Sequence, residues 1–221
     1  MPDYSMKQLI NLILLLALIV LCWDYPILYP LKLLVVFFHE SSHALATILT
    51  GGSVEELVIN QQQGGHVISQ GGNQFIIISA GYIGSLLWGV AIYVATVKSR
   101  YDKVIMSALG CSVIAITLVL SSSFFSWMFG LLSGAAMLLT AKYLADKHND
   151  FALRVIGLTS MMYAPLDIYS DTISRSYLES DAYFLAEYTG GTTLFWGSVW
   201  ILISVVVIFY CVKWVIKQPD C

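Results

Sequence analysis

The stretch Leu33-Leu34-Val35-Val36-Phe37-Phe38-His39-Glu40-Ser41-Ser42-His43-Ala44-Leu45-Ala46 sets three ionisable side chains within five residues, inside an otherwise apolar run. On a helix, residues four apart share a face, so His39 and His43 can offer an imidazole nitrogen each to a single ion. Glu40 stands beside them, within reach of a water held by that ion, and has the chemistry of a general base. A charged group in a membrane span costs about 2.5–3.5 kcal/mol on insertion scales and is functional by default. The plainer alternative, a polar seam between packed helices, leaves the His-Glu-x-x-His spacing unexplained.

Around this stretch the chain is apolar almost throughout. Of its 221 residues 58% are hydrophobic and only 11% are charged, with a mean hydropathy of +0.77. A soluble domain carries about 25% charged residues, so most of this chain does not face water. The formal net charge of -3 and the lack of a basic stripe point away from nucleic acid. Cys22, Cys111, Cys211 and Cys221 have no metal or redox spacing and read as free thiols in apolar surroundings. Lys7 followed by an apolar run resembles a signal peptide, but no small-x-small cleavage site follows it, and the segment reads as a membrane helix.

Runs long enough to cross a bilayer lie near 7–23, 29–49, 75–96, 104–121, 124–145, 152–171 and 194–214. The expected fold is an all-α polytopic membrane protein with six or seven transmembrane helices, forming one domain over residues 1–221. Ser121-Ser122-Ser123 alone separates the fourth and fifth runs, which predicts a tight helical hairpin. Residues 50–74 alternate short β-prone runs with Gly51-Gly52, Gly64-Gly65 and Gly71-Gly72, the pattern of a re-entrant β-hairpin. Residues 172–193, with Asp181, Glu187 and Gly190-Gly191, read as an ordinary solvated loop.

With seven spans, Lys98, Arg100, Lys103, Lys142, Lys147, Arg154, Lys213 and Lys217 fall on one side, with Lys32 nearby, against Lys7 and Arg175 on the other. That bias predicts a cytoplasmic C-terminus. His39 follows Lys32 by about 10 Å of helix, so the site is expected to open towards the cytoplasmic half of the bilayer.

Two histidines leave a metal in need of a third protein ligand and one open position. Carboxylates in later spans qualify: Asp167 and Asp171 stand at the end of the sixth run, after Pro165, a residue that breaks or kinks a helix. The competing reading has Asp167 capping a helix restarted after the Pro165 kink and Asp171 beginning the loop. His66, after Gly64-Gly65, reads as a surface histidine.

These residues resemble the site-2 proteases, zinc intramembrane metallopeptidases, and among them the small branch without a PDZ domain. The resemblance rests on His39-Glu40-Ser41-Ser42-His43-Ala44, on Leu49-Thr50-Gly51-Gly52 and the Gly64-Gly65 loop, on Ser79-Ala80-Gly81-Tyr82-Ile83-Gly84, and on Pro165-Leu166-Asp167. It covers the second span to about Ser176, with Ile168 standing where the family has glycine. It implies Zn²⁺ held by His39, His43 and Asp167, Glu40 as catalytic base, and hydrolysis of peptide bonds in or near transmembrane segments of membrane-protein substrates within the lipid bilayer. Two other readings remain: a metal-binding membrane protein without hydrolytic activity, for which Glu40 has no use, and a zinc membrane peptidase of another family. The latter enzymes take a late intramembrane Glu as ligand, whereas Glu179 and Glu187 lie in the polar loop.

Overall fold

The computed structural model describes residues 2–23, 25–175 and 179–218, with side chains at Ile10 and from Leu12 onward. Cys221 lies outside the described residues. Helix α1 spans Pro2–Leu21, and a 3-10 turn at Pro26–Leu28 leads into α2, Tyr29–Leu49. Strands β1 (Ser53–Ile59) and β2 (Gly65–Gln70) follow, then α3 (Gln74–Lys98), α4 (Asp102–Leu120), α5 (Phe124–Tyr143) and α6 (Asp146–Tyr169). A π-helical turn at Ser170–Ser174 ends α6; α7 (Asp181–Thr189) and α8 (Thr193–Val215) complete the chain.

Among the described residues five helices are long and apolar enough to cross a membrane, six if Leu12–Leu21 and Pro26–Leu49, bent by 112°, form one broken span. The protein is therefore an all-α, multi-pass integral membrane protein with one small sheet. Large side chains such as Leu132, Leu202 and Phe209 project from the helix exteriors, the arrangement that lipid contact requires.

Helix starts follow side-chain chemistry. Asn73, Ser123, Ser180 and Thr192 each accept a hydrogen bond from the backbone N–H three residues on, satisfying donors that a first helical turn leaves open. Pro165 does not interrupt α6. The irregularity comes after Tyr169, in the π-turn.

Small residues bring the helices together. A Cβ on Gly89 would stand 2.7 Å from the Gly157 carbonyl oxygen, and one on Gly134 2.8 Å from that of Gly110. These close crossings join α3 to α6 and α4 to α5, and Ser160 donates to the Ser85 carbonyl at 2.7 Å across the first. The α4–α5 pair is the expected tight hairpin.

The glycine-rich segment forms the expected β-hairpin, antiparallel from Ser53↔Gln70 to Ile59↔Gly65, with an irregularity between Val54 and Glu56. It is held within the protein: Leu57 and Ile59 are fully buried, and the Ser126 hydroxyl accepts from the Ile59 N–H at 2.8 Å. Irregular backbone at membrane depth survives only where protein covers it or it borders a wet cavity. Since β1 leans on α4 and α5 while pairing with β2, the outer edge of β2 carries no strand among the described residues.

Candidate metal centre

Helix α2 carries His39 and His43 on one face, their ring centroids 4.8 Å apart and their planes at 71°. The third member of the group comes from α7. Asp181 Oδ2 lies 3.1 Å from His39 Nε2 and 3.2 Å from His43 Nε2. Among the described residues, His39, His43 and Asp181 form the group of three that could hold a metal ion.

The local chemistry fits a divalent cation. His43 Nδ1 sits 2.7 Å from the Ile77 carbonyl oxygen, which has no hydrogen to give, so Nδ1 carries the proton. Nε2 then faces an anionic oxygen, a contact that needs a positive charge on the ring or between the two. A tetrahedral centre with bonds of about 2.0–2.1 Å sets its ligand atoms about 3.3 Å apart, close to the separations observed. Asp181 Oδ2 is buried and accepts no hydrogen bond, leaving the imidazole contacts as its only polar surroundings. Burial pushes this carboxyl up, but attraction to His43 and the contacts with both rings outweigh it and hold the group well below the usual carboxylate range.

Gly81 keeps the space open. A Cβ there would lie 2.3 Å from His39 Nε2 and 2.4 Å from His43 Nε2, within the volume that an ion and its water would fill. Glu40, buried at 5% exposure, packs against the start of β2: a Cβ on Gly65 would stand 2.7 Å from its Cγ and from its Oε1. Glu40, the two histidines and the hairpin are thus drawn together by two glycines and one helix.

Asp167, the carboxylate that the sequence resemblance favoured, is not in the group of three. Its side chain is largely buried and lies 3.9 Å from Arg175 Nη2. Asp171 accepts from the Tyr82 hydroxyl at 2.6 Å and from Arg175 at 2.8 Å. Residues 172–193 are also not the solvated loop expected from their polarity. They contain α7, whose Ala182 and Leu185 are fully buried beside Ile78, Tyr82, Ile168 and Trp200. The available signal was Ser180-Asp181-Ala182 with Leu185 three residues on: a capping residue followed by helically spaced apolar positions. His66 is exposed as expected, 3.6 Å from Glu56. Cys211 is buried, whereas Cys111 is exposed.

A family model described as Peptidase M50B-like matches residues 12–211. The chain belongs to this family. No curated protein and no solved structure matches it. The matched span of this M50B-like chain takes in both histidines, Glu40 and Asp181. Membership makes it a metallopeptidase-family protein of the membrane, in agreement with the site-2 protease resemblance of its motifs.

The position of the site in this M50B-like protein can be read along α3. Gly81 lies about 10 Å of helix from the start of α3 at Gln74, and about 25 Å from Lys98. The group therefore sits in the half of the bundle that holds the hairpin and α7, away from the lysine-rich ends of α3, α5 and α8.

Proposed function

We propose that this chain is a zinc-dependent intramembrane endopeptidase of the site-2 protease type, acting as one membrane domain over residues 1–221. Its substrates are membrane proteins, cut in or near a transmembrane segment. The observation that carries the reading is the closure of Asp181 on the two histidines of the His-Glu-x-x-His helix, with Glu40 buried alongside. His39, His43 and Asp181 would hold the ion, in place of the set with Asp167. When bound, the zinc supplies Lewis acidity that makes a water nucleophilic near neutral pH.

Glu40 takes a proton from the attacking water as its oxygen bonds to the scissile carbonyl carbon. Glu40 then passes that proton to the amide nitrogen as the C–N bond breaks, leaving a carboxylic acid and an amine, between which a further proton moves to give carboxylate and ammonium. A transmembrane helix hides its carbonyls in internal hydrogen bonds, so the substrate must unwind first. The outer edge of β2, which begins against Glu40, suits an unwound segment added as a further strand.

By the lysine and arginine bias the C-terminus is cytoplasmic, and the site then opens in the opposite half of the bilayer. The decisive experiment is elemental analysis of purified wild type beside His39→Ala, with cleavage of tagged single-span peptides in proteoliposomes. About one zinc per wild-type chain, lost in the variant, together with chelator-sensitive cleavage is expected. Cleavage that survives both the variant and the chelator overturns the reading.

A further inference from the structure

The two histidines are held in different ways. His43 sets Nδ1 on the Ile77 carbonyl at 2.7 Å, a bond that fixes the plane of its ring. His39 Nδ1 is buried and meets no hydrogen-bond partner among the described residues, so packing has to set the plane of this second ring. Two aromatic contacts do so: His43 itself, at 4.8 Å and 71°, and Tyr82 of α3, at 5.3 Å and 81°. Both are edge-to-face, the arrangement in which aromatic quadrupoles attract.

Tyr82 is in turn pinned on several sides. It is buried, and its hydroxyl donates to Asp171 Oδ2 at 2.6 Å, the short separation of a bond to a charged acceptor. Arg175 Nη2 holds the other oxygen of Asp171 at 2.8 Å, and Arg175 Nε donates to the Ser170 hydroxyl at 3.0 Å. These partners belong to the π-turn that ends α6 or cap it, a kind of irregularity found often at functional places in helices. The Tyr82 ring also lies 5.0 Å from that of Trp200 and shares a buried cluster with Ala182 and Leu185, which follow Asp181 on α7. One side chain thus joins His39 to the π-turn and to the helix that carries the third member of the group.

We propose that Tyr82 is a positioning residue of the metal centre: its ring sets the plane of His39, and its bond to Asp171 sets where that ring stands. The inference rests on reading His39, His43 and Asp181 as a zinc centre. Gly81 makes the arrangement possible, because it keeps side-chain atoms out of the space between the two Nε2 atoms. One residue on and about 100° further round the helix, Tyr82 stands beside His39 instead. Without its hydroxyl the ring loses its anchor on the π-turn, and His39 can turn while the ion keeps its three ligands at a poorer angle.

The test uses the full chain in detergent, stripped of metal, with Zn²⁺ affinity read by competition with a chelator dye and ligand geometry read from the visible spectrum of the Co²⁺ form. Tyr82→Phe keeps the ring and removes the bond to Asp171. It is expected to bind one Zn²⁺ about tenfold more weakly and to shift the Co²⁺ bands or change their intensity, which a general loss of stability would not do. Asp171→Ala is expected to act in the same direction. The double variant should bind no more weakly than the weaker single one, because both changes break one bond. Wild-type affinity in Tyr82→Phe, or weaker binding with unaltered bands, overturns this inference and leaves the zinc reading standing. Additive losses in the double variant overturn it as well, since the two side chains would then act separately. Loss of stoichiometric binding in Tyr82→Phe would make the hydroxyl a ligand and overturn it too. Failure of the wild type to take up metal overturns the zinc reading and this inference together. Should Tyr82→Phe not fold, Asp171→Ala removes the same bond from the acceptor side and is read in the same way.

Discussion

The Nδ1 atom of His43 donates to the carbonyl oxygen of Ile77 at 2.7 Å, and this contact between α2 and the first turn of α3 decides which nitrogen can bind metal. It orients Nε2 towards Asp181 and Gly81, and it locks the catalytic helix to the helix that provides the open space. Side chains that support metal ligands in this way commonly matter 10–100-fold for affinity; here the support is backbone and cannot be removed by a side-chain change.

Glu40→Gln should abolish cleavage and leave zinc content close to that of the wild type. Glutamine preserves the packing against Gly65 but cannot accept the proton of the attacking water. Residual turnover near the wild-type rate would exclude Glu40 as the base, and loss of zinc would show that it supports the ion.

Gly81→Ala should remove metal binding while the protein still folds. The added methyl would sit 2.3 and 2.4 Å from the two Nε2 atoms, displacing the rings or the ion. Overpacking of this kind costs about 1–3 kcal/mol of stability, so thermal unfolding of the metal-free variant should shift modestly. An alanine variant with wild-type zinc affinity would place the ion elsewhere.

Leu185→Ala should weaken zinc binding without altering any ligand. Leu185 is fully buried and fastens α7 against Tyr82, Ile168 and Trp200, and truncating a buried leucine costs about 2–5 kcal/mol. On so short a helix this loosens the carboxylate at its first residue. Chelator competition on purified protein reads the effect; unchanged affinity would mean that Asp181 is held by its own contacts alone.

Single cysteines at positions 100, 147 and 187 should divide between the two faces of sealed vesicles in which the protein has one orientation. Positions 100 and 147 should label from the cytoplasmic side, and position 187, exposed on α7, from the other. Labelling of all three from one side would overturn the span count. Reversal of both groups would put the site in the cytoplasmic half.

Much of the site was legible in the chain because it is local. His39, Glu40 and His43 lie on one helix whose periodicity brings them together whatever surrounds it. The β-hairpin at 53–70 was announced by paired glycines and β-branched residues, and the α4–α5 hairpin by three serines between two apolar runs. Asp181 was not legible. Two aspartates, at 167 and 171, close the sixth apolar run and a third, at 181, follows it, and a motif echo favoured the first of them.

What the sequence determined by itself is therefore the membrane environment and the placing of His39, Glu40 and His43 on one helix, since hydropathy and helical spacing are properties of contiguous residues. The tertiary structure decided the third member and the depth of the site. A ligand set is defined by atoms within about 3.3 Å of one another, and that convergence depends on the glycine crossing of α3 and α6, the π-turn after Tyr169 and the burial of Ala182 and Leu185 under α7. Each is a contact between distant parts of the chain, and their joint effect is to bring the first residue of a short helix, otherwise an unremarkable cap in a polar connection, onto two imidazoles that precede it by more than a hundred residues.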